Sequence, residues 1–248
     1  MNSFRQHAAC VGASGNFSVM RDVLGFVRGR LPPHPDDDGT VASVSMRDQI
    51  NAIAGRHVHL NVIRVGFDAM PATEQTRAFE RIDWAILRVR QIYAPVNLGV
   101  GRVLHWFITQ AEADGADDIG SEDEADELWD DWSVQNNGLD VFMVRTISAD
   151  FIGLSPVGGA CGKDDKGDGL IGGRIDREPD GVARTFAHEI GHYLGLSHTH
   201  GADCPTSTSA RNRLMSQTRC AVSNRNSVNL TSSEGSTMRG HCTVRPGC

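Results

Sequence analysis

Long apolar runs are missing from this chain of 248 residues. Nowhere do the roughly 18 consecutive apolar residues that a bilayer requires occur, which excludes a membrane-spanning helix. A cationic surplus is missing too: 24 Lys and Arg face 31 Asp and Glu, the net charge is -7 and the pI is near 5.8. That balance excludes nucleic acid as a main partner. The first 30 residues lack a charged start followed by an apolar core, so the expectation is export after removal of a signal or by another route, if the chain is exported at all. Lysine is scarce, with only Lys163 and Lys166, while the cysteines come in an even set, Cys10, Cys161, Cys204, Cys220, Cys242 and Cys248. Both point to an oxidising compartment. What remains, 40% hydrophobic and 22% charged residues, suffices for the core of one domain.

Against that background one stretch carries chemistry: His188-Glu189-Ile190-Gly191-His192-Tyr193-Leu194-Gly195-Leu196-Ser197-His198. His188 and His192 are four residues apart, so on a helix they stack one turn apart on one face and can hold one ion together. Glu189 lies beside them, placed to take a proton from water that the ion has made acidic. A helix continuing past Leu194 would carry His198 away. Gly195 can adopt the left-handed conformation that ends the helix and turns the chain back, making His198 a third ligand. Three protein ligands leave a fourth position for water or substrate, the arrangement of a catalytic zinc. Phe186, Ala187, Ile190, Tyr193 and Leu194 supply an apolar helix face, and Asp180 or Thr185 is placed to cap its start.

The rest of the chain reads as an α/β layout. Residues 1-50 form an extension, a pro-segment or an arm, with Leu31 to Gly39 as a stiff polar linker. Val58 to Phe67 reads as a strand, with His57 and His59 on its surface. Thr73 to Ala94 is a helix with Phe79, Ile82, Ile86 and Val89 on one stripe, Thr73 as cap and Pro95 as stop. Val96 to Ile108, Leu139 to Ile147 and Leu170-Ile171 read as further strands. Pro156 confines Phe151 to Gly159 to a sheet edge. Glu112 to Asp131 has many acids and no base, with Leu128, Trp129 and Trp132 near its end, and reads as a solvated insertion. Thr231-Ser232-Ser233-Glu234 is a capping box opening a helix through about Arg239.

His188, Glu189, His192, Gly195 and His198 together form HExxHxxGxxH, and the chain thereby resembles the metzincin zinc metalloendopeptidases, which also carry a methionine in a tight turn beneath the metal. In Arg213-Leu214-Met215-Ser216, Met215 matches that turn. The resemblance implies an α+β zincin fold: a twisted, mostly parallel five-stranded sheet with an antiparallel edge strand, a backing helix, an active-site helix and a small irregular C-terminal lobe. Residues 51-248 would be the catalytic domain, with an upper lobe 51-195 and a lower lobe 196-248. It also implies a polypeptide substrate, paired in extended form with the edge segment Gly153, Leu154, Ser155, Pro156, Val157 and Gly158, and an S1' wall in the Leu214 to Ser223 loop. The chain is expected to act as a monomer.

The chain departs from some branches. The position two beyond Met215 is Gln217, and the only tyrosines are Tyr93 and Tyr193, so a tyrosine ligand of the astacin and serralysin kind is not expected. Thr199 after the third histidine, with Cys204 and Cys220 bracketing the methionine loop, resembles the pappalysins; the final helix resembles matrixin-like bacterial enzymes. Cys204 with Cys220 and Cys242 with Cys248 are the favoured disulfides among several pairings. Cys10 or Cys161 could instead be a free thiol on the metal, a matrixin device, although the matrixin propeptide motif is not found around Cys10. Asp164, Asp165 and Asp168 have the chemistry of a calcium loop like one found in matrixins, but Lys163, Lys166 and the absence of EF-hand spacing favour an ordinary turn. Two other classes stand beside the endopeptidase. One is a catalytically altered zinc-binding module, which the intact Glu189 opposes. The other is a non-proteolytic zinc amidohydrolase, which an extended cleft with an edge strand opposes.

Overall fold

The structure is a computed structural model that describes residues 5-6, 55-163, 167-201, 203-221, 223 and 228-246. Its frame is a mixed α/β sheet centred on β2 (Arg56–Val65), which pairs in parallel with β3 (Leu98–Ile108) on one side and β5 (Leu139–Val144) on the other. β7 (Gly169–Arg174) adds in parallel to β5. Two short antiparallel pieces complete it: β1 (Arg5–Gln6) along β3 and β8 (Arg245–Pro246) along the start of β2. Beyond β1, the N-terminal extension with its linker lies outside the described residues.

Alternation along β2 divides the core in two, because successive side chains of a strand point to opposite faces. Val58, Leu60 and Val62 join a cluster with α1 (Ala72–Tyr93) and α4 (Pro179–Tyr193), through Ile82, Ile86, Phe186 and Ile190 among others. Burying each of these large side chains stabilises the fold by about 1.5–3 kcal/mol. Ile63 and Val65 face the other way and join Phe142, Val144 and Ile171. That second face is covered by the acidic segment. It folds into α2 (Gln110–Ala113), β4 (Asp118–Ile119), which pairs with β6 (Thr146–Ile147), and α3 (Glu122–Asp131). Most of its acids face solvent, but Asp117 is buried and paired with Arg145 at 2.6 Å, and Ile119, Ala125, Leu128, Trp129 and Trp132 are buried, so a solvated insertion is corrected to a cover for the sheet.

Several expected boundaries move for local reasons. α1 begins directly after Pro71, whose φ of -54° is already suited to a helix start, and no side chain caps it; Thr73 lies within the first turn. The strand expected from Val96 starts at Leu98 because Ala94–Val96 forms a 3-10 turn closed by Asn97 at φ 54°. The Leu139 to Ile147 run breaks after Val144 into β5 and β6. Trp84 Nε1 donates to Asp180 Oδ1 at 2.9 Å and the Tyr93 hydroxyl to the Ala187 carbonyl at 2.6 Å, fixing α1 against α4.

His57 and His59 are not surface residues. His57 is 2% exposed and His59 half-buried, their rings are 4.8 Å apart, and His59 Nδ1 accepts the Arg102 N–H at 3.0 Å. Burial, then the charges of Arg102, His57 and Arg245, push His59 down to about 4. Since an unfolded histidine titrates near 6.5, unfolding takes up a proton as pH falls from about 6.5 toward 4. The stability that neutral His59 contributes is therefore present above that window and lost within it. Thermal melts from pH 7 to pH 4.5 should show His59→Gln losing less stability on acidification than the wild type; equal losses would rule this out.

Candidate metal centre

α4 carries the site, and its start explains its register. Pro179 occupies the first helical position, where its missing N–H costs nothing, and the Glu178 carboxylate accepts the Asp180 N–H at 3.0 Å. Glu178, not Asp180 or Thr185, is thus the cap, and Thr185 is buried mid-helix. Val182, Phe186 and Ile190 bury one face, leaving His188 and His192 to converge on the other. Gly195 ends the helix at φ 96°, with the Leu196 N–H on the Gly191 carbonyl at 3.0 Å. The reversed chain brings His198 back to the pair.

The three Nε2 atoms lie 3.0, 3.1 and 3.2 Å apart. Nδ1 of His188 donates to the Leu214 carbonyl and Nδ1 of His192 to the Leu196 carbonyl, each at 2.7 Å. Those bonds commit the ring protons to Nδ1 and leave the Nε2 lone pairs aimed at one point. Three lone pairs so close repel unless a cation lies between them. Nitrogens about 2.0–2.1 Å from a tetrahedral zinc stand about 3.3 Å apart, so the donor set fits zinc with a fourth position open. Desolvation shifts all three imidazoles toward the neutral form, and His188, with help from His192, falls to about 3. Among the described residues, this triad is the group of His, Cys, Asp or Glu side chains close enough to share an ion.

Glu189 is 5% exposed, and burial raises its carboxyl to about 8. A cation held by the histidines opposes that shift and favours the ionised form. The edge segment crosses directly over it: a Cβ on Gly153 would stand 2.8 Å from Glu189 Cγ and Oε1. This segment is shorter as a strand than expected, a single antiparallel bridge with Leu154 N–H on the Ile171 carbonyl at 3.1 Å and the reverse bond at 2.8 Å. Beyond Ser155 and Pro156, Val157 is 55% exposed. The Gly158 and Gly159 N–H groups then donate to the His192 and Tyr193 carbonyls at 3.0 and 2.9 Å.

Beneath the triad, Leu214 and Met215 are fully buried, and a Cβ on Gly191 would stand 2.7 Å from the Met215 sulfur. The Ser216 N–H closes the turn on the Arg213 carbonyl at 3.1 Å, and the Thr199 N–H ties the chain after His198 to the Met215 carbonyl at 2.9 Å. α5 (Thr208–Arg211) precedes this turn and α6 (Ser232–Gly240) follows it, with the expected capping box of Thr231 and Glu234.

Cys204 pairs with Cys220 as expected, but Cys242 pairs with Cys161, not Cys248. The reason is tertiary: the His241 Nε2 on the Gly159 carbonyl at 3.1 Å brings the end of α6 to the edge segment. Cys161 is accordingly no free thiol, and Cys10 and Cys248 lie outside the described residues. So do Asp164 and Asp165. Asp168 is buried at 2% exposure, and Lys163 reaches away to Asp140 at 2.7 Å rather than lining a loop. These observations do not support calcium.

The sequence places Tyr193 on the apolar helix face and Gly159 at the end of the edge segment but does not show that the two meet. The Tyr193 hydroxyl donates to the Ala160 carbonyl at 2.7 Å, and a Cβ on Gly159 would fall 2.3 Å from its ring. The Gly158-Gly159 pair was the available signal, since adjacent glycines mark close backbone approach.

A family model, Reprolysin_5, metallo-peptidase family M12, matches residues 76–238. No curated protein matches the chain in sequence. Among solved structures it is similar to metalloproteinase-II from Bacteroides fragilis (14% identity, TM-score 0.48, covering 77% of this chain and 54% of that one). It is also similar to a chain of a chaperone-substrate complex (11%, 0.48, 77% and 34%) and to archaemetzincin from Methanopyrus kandleri (15%, 0.45, 73% and 94%). The chain spans about half the length of the first of these.

Proposed function

Because the chain belongs to metallo-peptidase family M12, we propose that it is a zinc-dependent endopeptidase of the metzincin kind. The observation that carries this reading is the convergence of three Nε2 atoms within 3.2 Å beside the buried carboxyl of Glu189. His188, His192 and His198 would hold zinc. When bound, zinc supplies a Lewis acid that polarises the scissile carbonyl and acidifies water. Glu189 takes the proton of the attacking water and passes it to the leaving amine, so no covalent intermediate is needed. Gly153 to Gly158 would pair with the substrate main chain and set it in register over Glu189. Met215 would support the triad from below.

Residues 51-248 form the catalytic domain in this reading, with lobes 51-195 and 196-248 and the extension 1-50 ahead of it. The two disulfides suit an extracellular protein, and no helix among the described residues is long and apolar enough to cross a membrane. Incubation with a random peptide library followed by mass spectrometry tests the activity. Internal cleavages that vanish with a zinc chelator and return with zinc are expected. An inert library would favour the zinc-binding module, and turnover of small amides alone would favour the amidohydrolase.

A further inference from the structure

Arg184 lies one turn before His188 on α4 and is 1% exposed. A guanidinium so deeply buried is costly to keep, and removing it is free of that cost unless its contacts serve a purpose. Among the described residues its bond runs from Nη2 to the Arg213 carbonyl at 2.6 Å, while Nε and Nη1 find no partner there. The next carbonyl along, that of Leu214, receives the His188 Nδ1–H at 2.7 Å. Two successive carbonyls of one loop are thus gripped by two side chains of one helix, one turn apart.

The loop is held from the other side as well. Arg213 Nη2 meets Glu234 Oε1 at 2.6 Å, and Glu234 is fixed by the capping box of α6. His192 provides an internal contrast. Its Nδ1 partner, the Leu196 carbonyl at 2.7 Å, belongs to the turn directly after α4, which the Leu196 N–H ties back to the Gly191 carbonyl, and not to the loop of Arg213 and Leu214.

We infer that Arg184 is a positioning residue for the metal centre: by fixing the Arg213 carbonyl it places the Leu214 carbonyl that orients His188, and so sets metal affinity through that ligand alone. The inference rests on the proposed zinc site. A carbonyl acceptor that fixes a ligand's tautomer and angle tunes the metal, and losing such a partner costs about 10–100-fold in affinity. Lysine, with a point charge in place of a fork, can replace only part of this.

The test is zinc affinity, by competition with a chromophoric chelator, together with the Nδ1–H proton resonances of His188 and His192 in the zinc-loaded chain. Arg184→Met should weaken zinc binding by about 10–100-fold, shift or broaden the His188 signal and leave that of His192 in place; Arg184→Lys should recover part of both. If Arg184→Met does not fold, Arg184→Lys carries the test, with a smaller loss of affinity and the same His188-specific shift. Wild-type affinity in the variant that folds overturns the inference, as does equal disturbance of both histidines, which would mean general loosening. A wild-type chain that binds no zinc overturns the proposed site and this inference with it.

Discussion

Glu189→Ala is expected to keep zinc and to lower kcat/KM on a peptide substrate by about 10²–10⁴-fold or more, the range for a positioned general acid–base group. Retention of metal follows from geometry. The side chains close enough together to share an ion are the three imidazoles, and the Glu189 carboxylate is not among them. Loss of rate follows from chemistry, because among the described residues no Asp or Glu joins the triad closely enough to take the proton in its place. Stability should move the other way. Burial raises the Glu189 carboxyl to about 8, so an ionised group at that position is held against its solvation, and the near-isosteric Glu189→Gln should melt at the same temperature as the wild type or higher. Zinc content, thermal melting and steady-state rates on one peptide from the library distinguish the contributions. Full activity in either variant would sink the mechanism.

How much of this was legible in the chain depended on the range over which each feature is determined. The triad was legible because a helix fixes His188 and His192 by spacing alone and Gly195 supplies the turn for His198, all within eleven residues. The buried stripes of α1 and β2 were legible for the same reason. The caps were less so. Thr73, Asp180 and Thr185 each had suitable side chains, but α1 starts on Pro71 without a side-chain cap, and at α4 Pro179 takes the first position with Glu178 as the cap. Pairing of Cys161 with Cys242, 81 residues apart, depends on where α6 ends relative to the edge segment, which local pattern does not encode. The acidic segment misled through its charge. Leu128, Trp129 and Trp132 were the signal that one side of it was buried.

The second large effect separates the three ligands. His198→Ala and His188→Ala should both lose zinc on dialysis, by more than the roughly 10–100-fold that removal of a ligand's hydrogen-bond partner costs, since two imidazoles do not complete a site of three protein ligands. Their metal-free forms should differ. His198 is exposed, so its truncation should change the stability of the metal-free chain by no more than about 0.5 kcal/mol. His188 is 3% exposed and its Nδ1 donates to the buried Leu214 carbonyl; truncation leaves that acceptor unpaired and should cost about 1–3 kcal/mol. Urea titrations in the presence of a chelator, with metal analysis of the dialysed proteins, measure both quantities. Zinc retained at full stoichiometry by His198→Ala would remove it from the ligand set. Equal stability of the two metal-free variants would show that the Leu214 carbonyl does not depend on His188, and with that the path from Arg184 to the metal would fail as well.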